Sequence, residues 1–285
     1  MIKIFVYNNN IIGEKKNIIM NGLNTNSNII LSKNIDDCDY IFLSFRDFNI
    51  NIDNKYLEKL IVIDYTDSTQ LEWKRPCYRY FKRSVVNKKN LSFCKYPRHI
   101  LPISYSIKNE CLEFTDLDKI IRDIDISVFF TPSNDNTKDS NYRGNVAKFI
   151  KKTFNHLNIH VGIVGKNGKI GRCSIQKPYY DMMFHSKIVI NCNPDNWEGD
   201  YRLFEALSSR ALVFTDRMIT PVINPFIDKK HLVYYDRNNF QQLKELVNFY
   251  LHHDEERNEI TTNGYNHAIK YHKANDRINE ILSAL

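Results

Sequence analysis

The chain has 285 residues, 42% hydrophobic and 26% charged, with a formal net charge of +7 and a pI near 8.9. This composition excludes a disordered or fibrous chain and leaves room for one large or two small domains with a substantial core. The modest basic excess suits an anionic partner such as a nucleotide diphosphate, a nucleic acid or an acidic membrane surface.

No apolar run reaches the ~18 residues of a transmembrane segment, and the opening MIKIFVYNNN lacks the basic start and apolar core of a secretory signal. The 6 cysteines are far apart, without CxxC pairs or zinc-type histidine spacing. The expectation is a soluble, cytoplasmic protein with free thiols. Abundant Asn, Ile and Lys reflect an AT-rich genome and say nothing about chemistry.

In chain order, Ile2 to Tyr7 is a β-branched run fit for a central strand, and it ends in the polar loop Asn8 to Gly13. Asp39 to Phe45 and Leu60 to Asp64 are further strands, with a short crossover over Lys55 to Leu60. Tyr80 to Ser84 followed by Ile100 to Ile103 reads as one more strand and a proline-marked exit. The basic run from Lys82-Arg83 to Lys88-Lys89 lies beside Tyr78, Tyr80 and Phe81. It offers a nucleic-acid platform as one reading and a solvated surface over a buried apolar row as the favoured one. Asn109 to Asp125 carries Leu117, Ile120, Ile121 and Ile124 at helical spacing and is the expected passage between domains.

The second half opens with the strand Ile126 to Phe130 and a polar loop, Thr131 to Asn141. A helix over Asn145 to His156 follows, then the strand His160 to Val164 and a flexible turn at Gly165. Next come a short helix over Tyr179 to Phe184, the strand Ser186 to Asn191, a helix over Tyr201 to Ser209 and a strand ending at Asp216. Leu232 to Tyr235 is a strand, Asn239 to His252 a helix, and Glu255 to Leu285 mostly helix with a break near Gly264. Strands alternating with helices at this spacing imply parallel sheets with right-handed crossovers.

The organising stretch is Asn191 to Asp216. A buried strand feeds an irregular loop and a helix mouth, where open α/β sheets bind phosphorylated ligands. Arg202 and Glu205 lie three apart, opposite the apolar face of Leu203, Phe204, Ala206 and Leu207. A guanidinium there can clamp a diphosphate through two oxygens at once; the alternative is a surface pair with Asp200 or Glu205, worth little. Glu205, read as a first-turn carboxylate, can accept from vicinal ribose hydroxyls or cap the helix. Tyr201 either donates to the same phosphate or packs on the helix start.

The pattern Arg202-x-Phe204-Glu205-Ala206, followed by a short helix and a strand ending in Thr215-Asp216, resembles the donor segment of GT-B glycosyltransferases, notably the CgeB-like and exostosin-like branches. The likeness spans roughly Val128 to the C-terminus. It implies two Rossmann-like domains facing a cleft: an acceptor-side domain over 1–108, a nucleotide-sugar domain over 126–262, and a final helix over 263–285 crossing back to the first. It implies a metal-independent glycosyltransferase using a nucleoside diphosphate sugar, UDP- or GDP-linked, with no tightly bound cofactor and a glycan, glycolipid or glycoprotein acceptor. Nucleic acid is the disfavoured partner.

The same resemblance gives Glu205 the ribose and brings Arg143, with the loop at Gly165, to the donor. Many retaining members place another glutamate seven residues earlier. Trp197 stands there, and Glu198 is one residue late, so Glu198 is carried as a sugar contact with the stereochemical outcome open. Asp195 and Asp200 are further candidates on that loop. Asp47, beside Arg46 in the loop after the second strand, is the candidate base, with a turn cap as its alternative. Asp37-Cys38-Asp39 fits a metal-binding D-x-D pattern, but it precedes its strand and the pattern recurs by chance at Asp116-Leu117-Asp118 and Asp123-Ile124-Asp125. An epimerase or hydrolase on the same fold, and a non-catalytic carbohydrate or nucleic-acid binder, are the alternative functions.

Overall fold

The computed structural model describes residues 1–7, 14–44, 50–87, 92–113, 119–130, 141–162 and 177–285. Two all-parallel sheets account for most of the strands. In the first, β1 (Ile2–Val6) lies between β2 (Ile29–Leu31) and β3 (Tyr40–Ser44), and the sheet continues through β4 (Leu60–Asp64), β5 (Arg79–Lys82) and β8 (Ile100–Pro102). A small antiparallel pair, β6 (Val86–Asn87) and β7 (Ser92–Phe93), sits between β5 and β8 in sequence. In the second sheet β9 (Ile124–Val128) lies between β10 (Ile159–Val161) and β11 (Ser186–Ile190), followed by β12 (Leu212–Asp216) and β13 (Val233–Tyr235). The strand order reverses at β1/β3 and at β9/β11, the two switch points where such sheets open a crevice for ligands.

Seven helices flank the strands among the described residues: α1 (Glu14–Asn24), α2 (Asn141–Thr153), α3 (Lys177–Phe184), α4 (Tyr201–Ser208), α5 (Phe240–His252), α6 (Asp254–Tyr271) and α7 (Ala274–Leu282). The core falls into three clusters. One belongs to the outer face of the first sheet, around Ile41, Leu43, Val62 and Trp73. Another lies where α2 and α5 cover the second sheet, around Ile126, Val146, Ile188 and Val247. The third joins the domains, running from Ile4, Phe42 and Ile63 through Tyr105 and Phe129 to Leu203, Leu207 and Ile278. Each fully buried aliphatic or aromatic side chain contributes about 1.5–3 kcal/mol, and the third cluster spends that burial on the domain junction.

Several expectations need correction. The Tyr80 to Ile103 region forms two parallel strands, β5 and β8, because both have central-sheet partners, with β4 and with each other. Asn109 to Asp125 is not one helix: a short 3-10 turn covers Asn109–Leu112, Ile124 is drawn into β9 by pairing with Ser186, and Ile121 is left 78% exposed. Leu117 and the Asp116-Leu117-Asp118 motif lie outside the described residues. α6 passes through Gly264, and across the expected boundary at 262, without a break. Gly264 serves close approach, since a Cβ there would stand 2.0 Å from the His231 carbonyl oxygen. The break falls instead at His272 and Lys273, after which α7 packs along α1, with Asn26 Nδ2 donating to Asn275 and Asn279 at 2.8 and 2.7 Å.

Candidate functional site

The loop from β11 to α4 follows the second switch point. Asp200 ends it as the helix N-cap, its carboxylate accepting from the Arg202 backbone N–H at 3.0 Å. The other carboxylate oxygen accepts from Arg202 Nη1 at 2.5 Å and from Arg143 Nη2. Arg143 also donates from Nε to the Cys192 carbonyl at 2.7 Å, which ties the start of α2 to the end of β11. All three side chains are buried, with Asp200 at 2% and the arginines at 6–8% exposure.

Burial pushes the Asp200 carboxyl up, but the Arg202 and Arg143 guanidiniums outweigh it and hold Asp200 well below the usual range. Burial would lower Arg202; the Asp200 carboxylate reverses this and raises it. Asp200 thus holds two guanidiniums side by side at the mouth of α4. Arg202 does pair with Asp200, as the sequence alternative held, but the pair is buried and not a surface contact.

Glu205 sits beyond the first turn of α4, where Asp200 takes the cap. Its two oxygens accept from Lys108 Nζ at 2.5 Å and from the Tyr179 hydroxyl at 2.9 Å, and it is 1% exposed. Every residue of α4 after Tyr201 is buried, so its polar side faces the domain junction and not solvent. Tyr201 packs there, with Lys108 Nζ 4.5 Å from its ring centroid and the Tyr105 ring edge-on at 5.8 Å.

Glu198 is turned into the protein. Its carboxylate accepts from the backbone N–H of Ile219 at 2.9 and 3.0 Å and of Thr220 at 2.7 Å, pinning the segment after β12. Asn193 ties the same loop to β12 by donating to Asp216 from its backbone N at 2.7 Å and from Nδ2 at 2.9 Å. Asp195 accepts from the Tyr142 backbone N–H at 3.2 Å. Next to this loop a cavity of about 440 Å³ opens at the ends of β12 and β13, lined by Tyr142, Asp216, Arg217, Tyr234, Arg237 and Gln242 among others.

Asp47, Arg46 and Gly165 lie outside the described residues. The D-x-D motif stands at the opposite end of β3 from the cleft. Asp37 pairs with Lys3 Nζ at 2.8 Å and Asp39 accepts from the Lys3 backbone N–H at 2.7 Å. Among the described residues no group of three or more His, Cys, Asp or Glu side chains is arranged to hold a metal.

Lys82 and Arg83, the described start of the basic run, are neither a surface platform nor a solvated face. Lys82 is wholly buried against Asp64 at 3.1 Å and Thr66 at 2.7 Å, and Arg83 is 2% exposed; Lys88 and Lys89 lie outside the described residues. Sequence reasoning missed Lys108 as the partner of Glu205 and Arg83 as a contact of the β11–α4 loop. A residue from the other domain leaves no local signal. Asp200 as a helix cap was readable from an Asp immediately before the apolar period.

Residues 143–283 match a family model described as glycosyl transferase-like. No curated protein matches the sequence. Among solved structures, an alpha-glucosyltransferase in complex with UDP and a 13-mer DNA containing a HMU base is similar at a TM-score of 0.59 and 11% identity, covering 99% of this chain and 98% of that one. An alpha1,3-fucosyltransferase gives 0.51 at 13% identity, covering 99% and 88%. TarM gives 0.51 at 14% identity over 80% of this chain and 55% of TarM, so the match takes in about half of TarM's length. At these identities the likeness is one of fold, and the fold is GT-B-like: two parallel-sheet α/β domains facing one another.

Proposed function

We propose that this chain is a glycosyltransferase that takes a sugar from a nucleoside diphosphate sugar held by the second domain and passes it to an acceptor hydroxyl presented by the first. The observation that carries this reading is the pair of guanidiniums, Arg143 and Arg202, fixed by one buried Asp200 at the switch-point mouth of β11 and α4. The glycosyl transferase-like match over residues 143–283 and the GT-B-like fold support it.

In this reading the two arginines take up the negative charge that develops on the departing diphosphate, without a metal ion. They are preorganised, since Asp200 has already fixed their geometry and no solvent must reorient during the reaction. The cavity beside the loop, lined by carboxylates, amides, tyrosines and the two arginines Arg217 and Arg237, offers donors and acceptors to the polar groups of a sugar nucleotide. Glu198 and Glu205 are assigned to holding the site. Glu198 secures the segment after β12, and Glu205 fixes Lys108 beneath Tyr201. UDP- and GDP-sugars are the favoured donors, and a glycan or glycosylated lipid or protein the favoured acceptor.

A panel of nucleotides tests this reading. A ligand that binds only the folded state adds about 2.7 kcal/mol at a hundred times its dissociation constant, so UDP or GDP is expected to raise the melting temperature while short oligonucleotides do not. A shift with oligonucleotides alone would overturn the donor assignment. The metal-free reading predicts that chelator leaves donor binding and turnover intact, and loss in EDTA restored by Mn would refute it.

A further inference from the structure

Arg83 belongs to the first domain, one residue past β5, yet its guanidinium ends in the second. Nη1 donates to the carbonyl of Glu198 at 3.0 Å and to that of Gly199, while Nη2 donates to the Thr66 carbonyl and the Asp67 carboxylate, both at 2.7 Å. Nε reaches the Tyr65 carbonyl at 3.4 Å. The guanidinium lies 4.5 Å from the ring centroid of Trp197 in the second domain and 5.1 Å from that of Tyr105 in the first. The neighbouring Ser84 Oγ accepts from the Glu198 backbone N–H at 3.3 Å, so two consecutive residues of one domain hold two of the other.

The held residues are adjacent to the charge cluster. Gly199 has φ of +92°, a conformation that residues with a Cβ seldom adopt, and it presents its carbonyl to Arg83 just before Asp200 takes the two arginines. The Glu198 main chain is gripped by Arg83, and its carboxylate grips Ile219 and Thr220. Separating the domains would therefore release the backbone that aims Asp200 and, through it, Arg143 and Arg202.

We propose that Arg83 is a positioning residue that completes the donor site from the opposite domain and thereby links donor binding to domain closure; this rests on the nucleotide-sugar reading above. Linkage is reciprocal, so the nucleotide favours the apposed domains to the same degree that apposition favours the nucleotide. A planar fork is required. Lysine keeps the charge but lacks the geometry to bridge Thr66, Asp67 and the two carbonyls at once.

The test compares wild type, Arg83→Lys and Arg83→Ala by amide hydrogen exchange without ligand and by calorimetry with UDP and GDP. Faster exchange at Gly199 to Arg202 and at Ile219 and Thr220 is expected in both variants. Affinity for the nucleotide that wild type binds should fall about tenfold in Arg83→Lys, the size of one lost charge-assisted hydrogen bond. Free guanidinium ion should restore part of that affinity in Arg83→Ala, which a merely structural loss would not allow. If the variants exchange those amides as slowly as wild type, or melt earlier with unchanged affinity, the coupling is refuted while the donor reading stands. If wild type binds neither nucleotide, the donor reading and the coupling fall together.

Discussion

Asp200 shows how much can depend on one carboxylate. It caps α4 and sits between two buried guanidiniums, so Asp200→Asn would remove the carboxylate that both share. A loss of about 3–5 kcal/mol is expected, the usual result of breaking a buried ion pair from one side. Because the folded pKa of Asp200 is depressed, its contribution is full above the ~3.9 of an unfolded aspartate and is lost as pH falls below that value. The stability gap between wild type and Asp200→Asn, measured by urea unfolding, should therefore be constant near neutrality and narrow below about pH 4.

Glu205→Gln makes a sharper distinction. Removing the carboxylate that faces the buried Lys108 ammonium should lower the melting temperature. Reduced nucleoside diphosphate affinity at an unchanged melting temperature would instead return Glu205 to the ribose. At this scale the sequence told residue types and spacing but not burial. Arg202 and Asp200 were legible as partners, and what makes the pair consequential is that neither meets solvent. Arg83 and Lys108 were illegible as site residues because their partners lie more than 90 positions away.

Among the elements, strands were the most legible, because a central strand of a covered parallel sheet reads as an unbroken apolar run, as in LIVID over Leu60–Asp64. α1 escaped notice. Its buried Ile18, Ile19 and Leu23 are interleaved with Asn and with Gly22, which admits the backbone of α7; a Cβ there would stand 2.5 Å from the Ala274 carbonyl oxygen. A tertiary demand of this kind is invisible to a helical period.

Gly264 gives the same lesson a testable sign. Propensity alone would have Gly264→Ala stabilise α6 by about 1 kcal/mol, whereas the His231 carbonyl in the way predicts destabilisation of about 1–3 kcal/mol by chemical denaturation. Around that contact His231, His267 and His272 pack with Phe226, and the hydrogen bonds fix two tautomers. His231 Nδ1 accepts from the Ile227 N–H at 3.1 Å, and His272 Nδ1 faces Arg277 Nη2 at 2.9 Å. A proton on either Nδ1 would oppose a donor. Burial pushes His231 down to about 4, helped by His267, and pushes His272 down to about 3, helped by Arg277. The unfolded chain, with histidines near ~6.5, takes up protons first, so this stability is full above about pH 6.5 and declines as pH falls toward those values. Melting temperature should fall across that window, with a shallower slope in His272→Gln.

For the whole molecule, the first domain is assembled from both ends of the chain. α7 lies on α1, Arg277 Nη1 donates to Ser104 Oγ at 2.8 Å, and the Ile107 backbone N–H donates to the His272 carbonyl at 2.8 Å. In sequence only the family likeness suggested the return crossing, since ANDRINEIL is an amphipathic helix that names no partner. Removing residues 273–285 is expected to strip hydrogen-exchange protection from α1 and β1 while β9, β11 and β12 keep theirs; equal protection throughout would show that α7 is dispensable.

That closure has a consequence in time. Asn26 and Asn275 are 249 positions apart, and at about 5–20 residues per second of synthesis the ribosome needs roughly 12–50 s to deliver the second after the first. Throughout that interval the apolar face formed by Ile18, Ile19 and Leu23 has no α7 to cover it, and β13, which ends at Tyr235, is made before Asn275 is added. The first sheet, begun first, is thus the one finished last, and its apolar face on α1 stays open until α7 emerges.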